Sequence, residues 1–150
     1  MTVNKPLSFA GLLLILLLAL SCASPDSEGK NPAVNIGNQE WGISLAATPQ
    51  ELSQGLGGLP SLPRGKGMLF DLGEERIIAV TTVPMFFTID VVFISESLRV
   101  TEVAPEVIPG RLILSQSPAR YFLEVNAGEA AKIKAGDLVR LRLPTSKEGR

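Results

Sequence analysis

From Phe9 to Leu20 twelve residues in a row carry nothing more polar than glycine, and two positions later comes the only cysteine, Cys22. Lys5 and the free amino terminus put positive charge ahead of this run. A basic start, an apolar stretch and small residues at its end are the layout of an export signal. Counted from Leu7, the stretch makes a helix of about 21 Å, against roughly 30 Å of bilayer hydrocarbon. That is too short to span comfortably. Residues 1–21 are therefore expected to be removed as a signal peptide, and the fold has to be built from residue 22 onward.

The end of the run, Leu18-Ala19-Leu20-Ser21-Cys22, resembles the lipobox of bacterial lipoproteins, with Ala19 where Leu is usual. The resemblance implies cleavage before Cys22, lipid on that residue, and the membrane as a partner through it. Several acyl chains anchor stably, because each buried methylene contributes about 0.8 kcal/mol. Ala23 stands where an inner-membrane retention signal would have Asp, which implies an outer-membrane location facing the periplasm in a Gram-negative host. Residues 22–32, rich in Ser, Pro, Gly and Asn, read as the lipid attachment point and a flexible tether. Residues 33–144 then form the globular domain, and 145–150 a polar tail.

Without its signal the chain keeps 13 basic residues against 15 acidic ones, since Met1 to Ser21 contain one Lys and no acid. That balance has no basic stripe. Nucleic acid is excluded as a partner, because phosphate recognition needs clustered Lys and Arg. There is no histidine, and one thiol closes no disulfide. Zinc sites of Cys and His, Cys/His nucleophilic pairs and Ser-His-Asp triads all need side chains that are missing. Only oxygen ligands for a hard cation remain, and no cofactor or metal is expected.

Local patterns predict an α+β domain, rich in β-structure, with a curved or barrel-like, mostly antiparallel sheet and two short helices. Residues 33–36, the Gly37-Asn38 turn and the alternation of Trp41, Ile43 and Leu45 with Gly42 and Ser44 predict a hairpin. Thr48-Pro49-Gln50-Glu51 opens the first helix with a capping box and a proline at its first position, and Gly55 ends it. Strands are predicted at 77–83, 86–94, 98–103, 111–115 and 121–125, a second helix at Ala127–Ile133, and a last strand from Val139 to Leu143. Gly57 to Gly67, punctuated by Pro60 and Pro63, is a surface loop. Its Gly65-Lys66 pair lacks the spacing of a phosphate-binding loop.

Several segments together resemble the small prokaryotic domain-of-unknown-function family 192. They are Ala47-Thr48-Pro49-Gln50-Glu51-Leu52-Ser53-Gln54-Gly55-Leu56, Gly67-Met68-Leu69-Phe70, Ile89-Asp90-Val91-Val92-Phe93-Ile94, and Pro118 to Gly128 followed by Gly136-Asp137. Where the family commonly has an aromatic-Met-Lys-Asn-Thr segment, this chain has Thr81-Thr82-Val83-Pro84-Met85. The resemblance implies an exported or membrane-linked single domain and no established activity.

Four residues are candidates for ligand binding. Asp90 is the one charge in the apolar run 86–94 and shares a face with Thr88, Val92 and Ile94. Buried there, it needs partners, since an unpaired charge costs several kcal/mol. A structural pair with Arg120 is the first expectation and a binding or catalytic acid the second. Arg120, Glu124 and Asn126, with Phe122, form a polar row that suits a small polar ligand or a cation, or else a solvated sheet face. The expected function is a non-enzymatic, lipid-anchored binding or structural domain, with a small polar ligand, an envelope polymer or an envelope protein as its partner. The alternative is a hydrolase with Asp90 and Glu124 as its acid/base pair, which requires their carboxyls at about 5 to 9 Å.

Overall fold

The computed structural model describes residues 31–143 together with Met1. Cys22, the export signal, residues 22–30 of the tether, Pro144 and the polar tail lie outside the described residues. The elements are β1 (Ala33–Ile36), β2 (Gln39–Ala46), α1 (Pro49–Gln54), β3 (Lys66–Arg76), β4 (Ala79–Thr81), β5 (Ile89–Ile94), β6 (Val100–Val107), β7 (Leu112–Leu114), β8 (Ala119–Asn126) and β9 (Val139–Arg142).

Seven strands form one sheet in the order β6-β5-β8-β3-β2-β1-β9, and β4 pairs with β7 in a separate two-stranded sheet. Pairing is antiparallel except between β2 and β3, which run parallel and are joined by the segment that holds α1. The sheet is therefore mixed. Strand twist curls it until its outer strands meet at one corner, where Arg99 and Leu138 form an antiparallel bridge. Val100 N donates to Asp137 O at 2.9 Å and Gly136 N to Val100 O at 2.7 Å. The result is a half barrel whose two edges partly cover one another.

Local chemistry accounts for the first of these elements. Gly37-Asn38 is the hairpin turn, with Ile36 opposite Gln39. In β2, Trp41 and Ile43 are buried while Glu40 and Ser44 are exposed. The α1 capping box is complete: Glu51 N donates to Thr48 Oγ1 at 3.3 Å, and Thr48 N to Glu51 Oε2 at 2.9 Å. Gly55 ends this helix at φ 48 and ψ −138, a conformation open chiefly to glycine.

All six residues of β5 are buried, because both faces of the sheet are covered at that strand. One apolar cluster draws on all seven strands of the sheet, with Val92, Ile94, Leu69, Leu123 and Val139 among its members, and fills the curl. The second lies on the opposite face, where Phe70, Ile89, Val91, Phe93 and Phe122 pack under Leu56, Ile78, Val80 and Met85.

Three expectations need correction. Ala127–Ile133 is a run of turns instead of a second helix, so α1 is the only helix among the described residues. Gly128 takes φ 82, off the helical path, and Ala130 N donates to a side chain in place of a helical carbonyl. The 77–83 strand shrinks to Ala79–Thr81 and joins β7, with Thr82 N donating to Arg111 O at 2.8 Å. The 86–94 strand begins only at Ile89.

Candidate functional site

β8 lies between β3 and β5 and carries three of the four candidate residues. In register, Glu124 stands opposite Met68 on β3 and Val91 on β5, while Asp90 stands opposite Val125. Asp90 therefore points to the face inside the curl, and Glu124 to the other. Strands show side chains on alternate faces, so the two carboxyls are separated by the sheet itself. The acid/base pair required by a hydrolase does not form. Alternation within each strand is legible in the sequence. Which faces coincide depends on register between strands distant in sequence.

Asp90 is fully buried, and both of its oxygens are occupied by backbone donors. Oδ1 accepts from Glu106 N at 2.9 Å and Oδ2 from Ala130 N at 2.9 Å. The first donor exists because the pairing of β5 with β6 slips between Ile89 and Val91, where three steps on β6 match two on β5. Glu106, at φ 51 in that bulge, turns its N–H out of the ladder and toward the carboxylate. Asp90 thus ties a bulge on one side and the turn after β8 on the other.

The expected pair of Asp90 with Arg120 is absent, because Asp90 stands opposite Val125 and Arg120 lies five residues further along β8, at the far end of the strand. Its Nε donates to Asp71 Oδ1 at 3.1 Å, Nη2 to Asp71 Oδ2 at 3.3 Å and Nη1 to Glu96 Oε1 at 3.0 Å. The guanidinium also lies 4.9 Å from the Tyr121 ring centroid. Asp71 holds Arg120 still more firmly in its charged form. Asn126 is occupied elsewhere, with Nδ2 donating to Leu62 O at 3.0 Å and Pro63 O at 3.3 Å. It fastens the 57–65 loop to the end of β8. The polar row thus breaks up into an ion pair at one end, a loop clamp at the other, and Glu124 between them.

Glu124 is the exception. The residue is 3 % exposed, and its side chain makes no hydrogen bond or ion pair among the described residues. Burial alone pushes its carboxyl up to about 8, so the group is largely protonated at neutral pH. It lines a cavity of about 90 Å³ between α1 and its following glycines, the β4 segment, and the aromatic pair of β3 and β8. Leu52, Leu56, Val80 and Met85 supply apolar wall, and the rings of Phe70 and Phe122 stack at 4.1 Å beside them. No other ionisable residue lines this cavity. A lone carboxyl cannot satisfy the six to eight oxygens that calcium takes, so the arrangement suits a single hydrogen-bonding or charged group.

Sequence reasoning missed four contributors. Glu129 accepts from Trp41 Nε1 at 2.9 Å and from Gly65 N at 3.1 Å, pinning the other end of the 57–65 loop. Thr81, Pro84 and Met85 line the Glu124 cavity. The cue for them was the segment itself, the one stretch that departs from the family pattern.

The sequence pattern of the DUF192 family, described as "Uncharacterized ACR", matches residues 33–141. No curated protein matches. Among solved structures, a protein of unknown function from Novosphingobium aromaticivorans is similar at 26% identity and a TM-score of 0.68, over 72% of this chain and 83% of that one. A Sinorhizobium meliloti protein described as a "putative transcription regulator" is similar at 26% identity and a TM-score of 0.70, over 74% of this chain and 93% of that one.

Proposed function

This chain belongs to that domain-of-unknown-function family, and from that premise we propose an exported, lipid-anchored envelope protein whose domain works by binding a small ligand. The Glu124 cavity is its site. One observation carries the binding reading: the carboxyl of Glu124, a residue 3 % exposed and without a hydrogen-bond or ion-pair partner among the described residues, faces a cavity instead of packed side chains. Its oxygens keep contact with the cavity space, so their partner has to be water or a ligand that enters it. The other three candidates are already satisfied within the protein, which leaves Glu124 as the group free to meet a ligand. Thr81, Pro84 and Met85, from the segment that departs from the family pattern, line the cavity with uncharged side chains. Export and anchoring are supported by the apolar run and by Cys22 at its end.

Two measurements test these parts. Labelled palmitate should enter the wild-type chain and leave Cys22→Ser unlabelled; equal labelling of both overturns the anchor. The small-molecule fraction of an envelope extract, added to isotope-labelled protein, should shift the amides of Leu56, Gly57, Phe122 and Glu124 and spare Val139. If these four amides stay fixed while distant ones move, the ligand site lies elsewhere.

A further inference from the structure

Three properties of the cavity bear on what it would hold. Its single ionisable group is an acid, and no Lys or Arg lines it, so an anion would meet no positive charge there. With no second carboxylate in the lining, a divalent cation would be left with one protein charge and a few neutral oxygens, short of the six to eight ligands it takes. Its volume of about 90 Å³ is several times the roughly 10 to 15 Å³ that one water needs, which is room for a short chain of heavy atoms.

Leu52, Leu56, Val80, Met85 and the paired rings of Phe70 and Phe122 offer those atoms apolar contact, and Ser53, Gln54 and Thr81 add neutral polar groups around them. We infer that the cavity receives a primary alkylammonium group, the end of an aliphatic amine or of a lysine-like side chain. Glu124 takes the charge, and the apolar wall takes the methylenes. A short alkyl stem gains from leaving water. This inference rests on the Glu124 cavity being the binding site and names the chemistry of its ligand.

Proton balance sets the sign of the pH dependence. An amine is charged below about pH 10.4, whereas burial holds the Glu124 carboxyl protonated up to about 8. Ammonium binding therefore expels one proton from Glu124, and affinity rises with pH until that carboxyl ionises unaided. A neutral ligand that accepts a hydrogen bond from the protonated carboxyl shows the reverse trend. No charged side chain acts on Glu124 from β3, β5, α1 or the β4 segment, so the slope belongs to this one group.

The experiment is a titration of the isotope-labelled full chain, in mild detergent, with n-propylammonium chloride at constant ionic strength. Propionamide serves as the neutral probe and propionate as the anionic one. The amides of Leu56, Gly57, Phe122 and Glu124 should shift saturably with the ammonium, and the affinity should rise about tenfold per pH unit between about pH 6 and 8. Glu124→Gln should abolish that binding, and Glu124→Met, which buries no polar group, should do the same if Gln disturbs folding. The ammonium inference is overturned if affinity falls as pH rises, or if either variant binds the probe as the wild type does. Should propionamide or propionate saturate these amides while the ammonium does not, the cavity is a binding site and the ligand class is wrong. Should none of the three probes move them, the binding reading falls with it.

Discussion

Replacing Asp90 by alanine removes the acceptor for two buried backbone donors at once. Both hydrogen bonds measure 2.9 Å and both are charge-assisted. Bonds of that kind contribute about 1.5 to 3 kcal/mol each, so Asp90→Ala should cost about 3 to 6 kcal/mol. Relief from burying a charge trims the total toward the lower end. Asp90→Asn keeps one oxygen but turns an N–H₂ group toward the second donor, and should lose about half as much. Arg120→Ala acts on a separate network at the partly exposed end of β8, where solvent screens the ion pairs with Asp71 and Glu96 and the loss should be small. The assay is urea unfolding of wild type, Asp90→Ala, Arg120→Ala and the double variant, followed by tryptophan fluorescence at Trp41. Since Arg120 lies five residues along β8 from Val125, the residue opposite Asp90, and the two share no partner, the losses should add to within about 0.5 kcal/mol. A coupling above about 1 kcal/mol, or an Asp90→Ala loss below it, would refute the separate networks.

Glu124 should make the protein less stable as pH rises. Its folded value is about 8 against an ordinary 4.5, so the folded state holds a proton that the unfolded state has released between those limits. Stability should decline by up to about 1.4 kcal/mol per pH unit across that window and level off above it. Urea midpoints of Glu124→Gln should lack this slope, and parallel profiles for the two proteins would rule out a titrating Glu124. Gly55→Ala should cost about 1 to 3 kcal/mol, because φ 48 strains any side chain and the new methyl would sit 3.2 Å from the Phe70 ring; an unchanged melting temperature would contradict this. Glu129→Ala should release Gly65 N and Trp41 Nε1, so protease cutting should appear first within residues 57–65. Cleavage elsewhere at the same rate would mean that Glu129 is not the clamp.

Short-range chemistry is legible in the sequence wherever the deciding partners are neighbours. The capping box of α1 needs only Thr48 and Glu51, the hairpin only Gly37-Asn38 between two apolar runs, and β9 only the alternation of Val139 and Leu141 with Arg140 and Arg142. The same alternation puts Arg120, Glu124 and Asn126 on one face of β8 without reference to any other strand. It is silent on what stands opposite. That Asp90 meets Glu106 and Ala130, that Arg120 meets Asp71 and Glu96, and that Asn126 meets Leu62 and Pro63 depends on strand register and a bulge between segments up to 64 residues apart. Ala127–Ile133 shows the two levels in conflict: its residue types favour a helix, but Gly128 leaves the helical path and Ala130 N is drawn to a carboxylate 40 positions earlier. Tertiary structure alone isolated Glu124, because a carboxyl's solitude depends on every element that surrounds it, and no single stretch of chain records that.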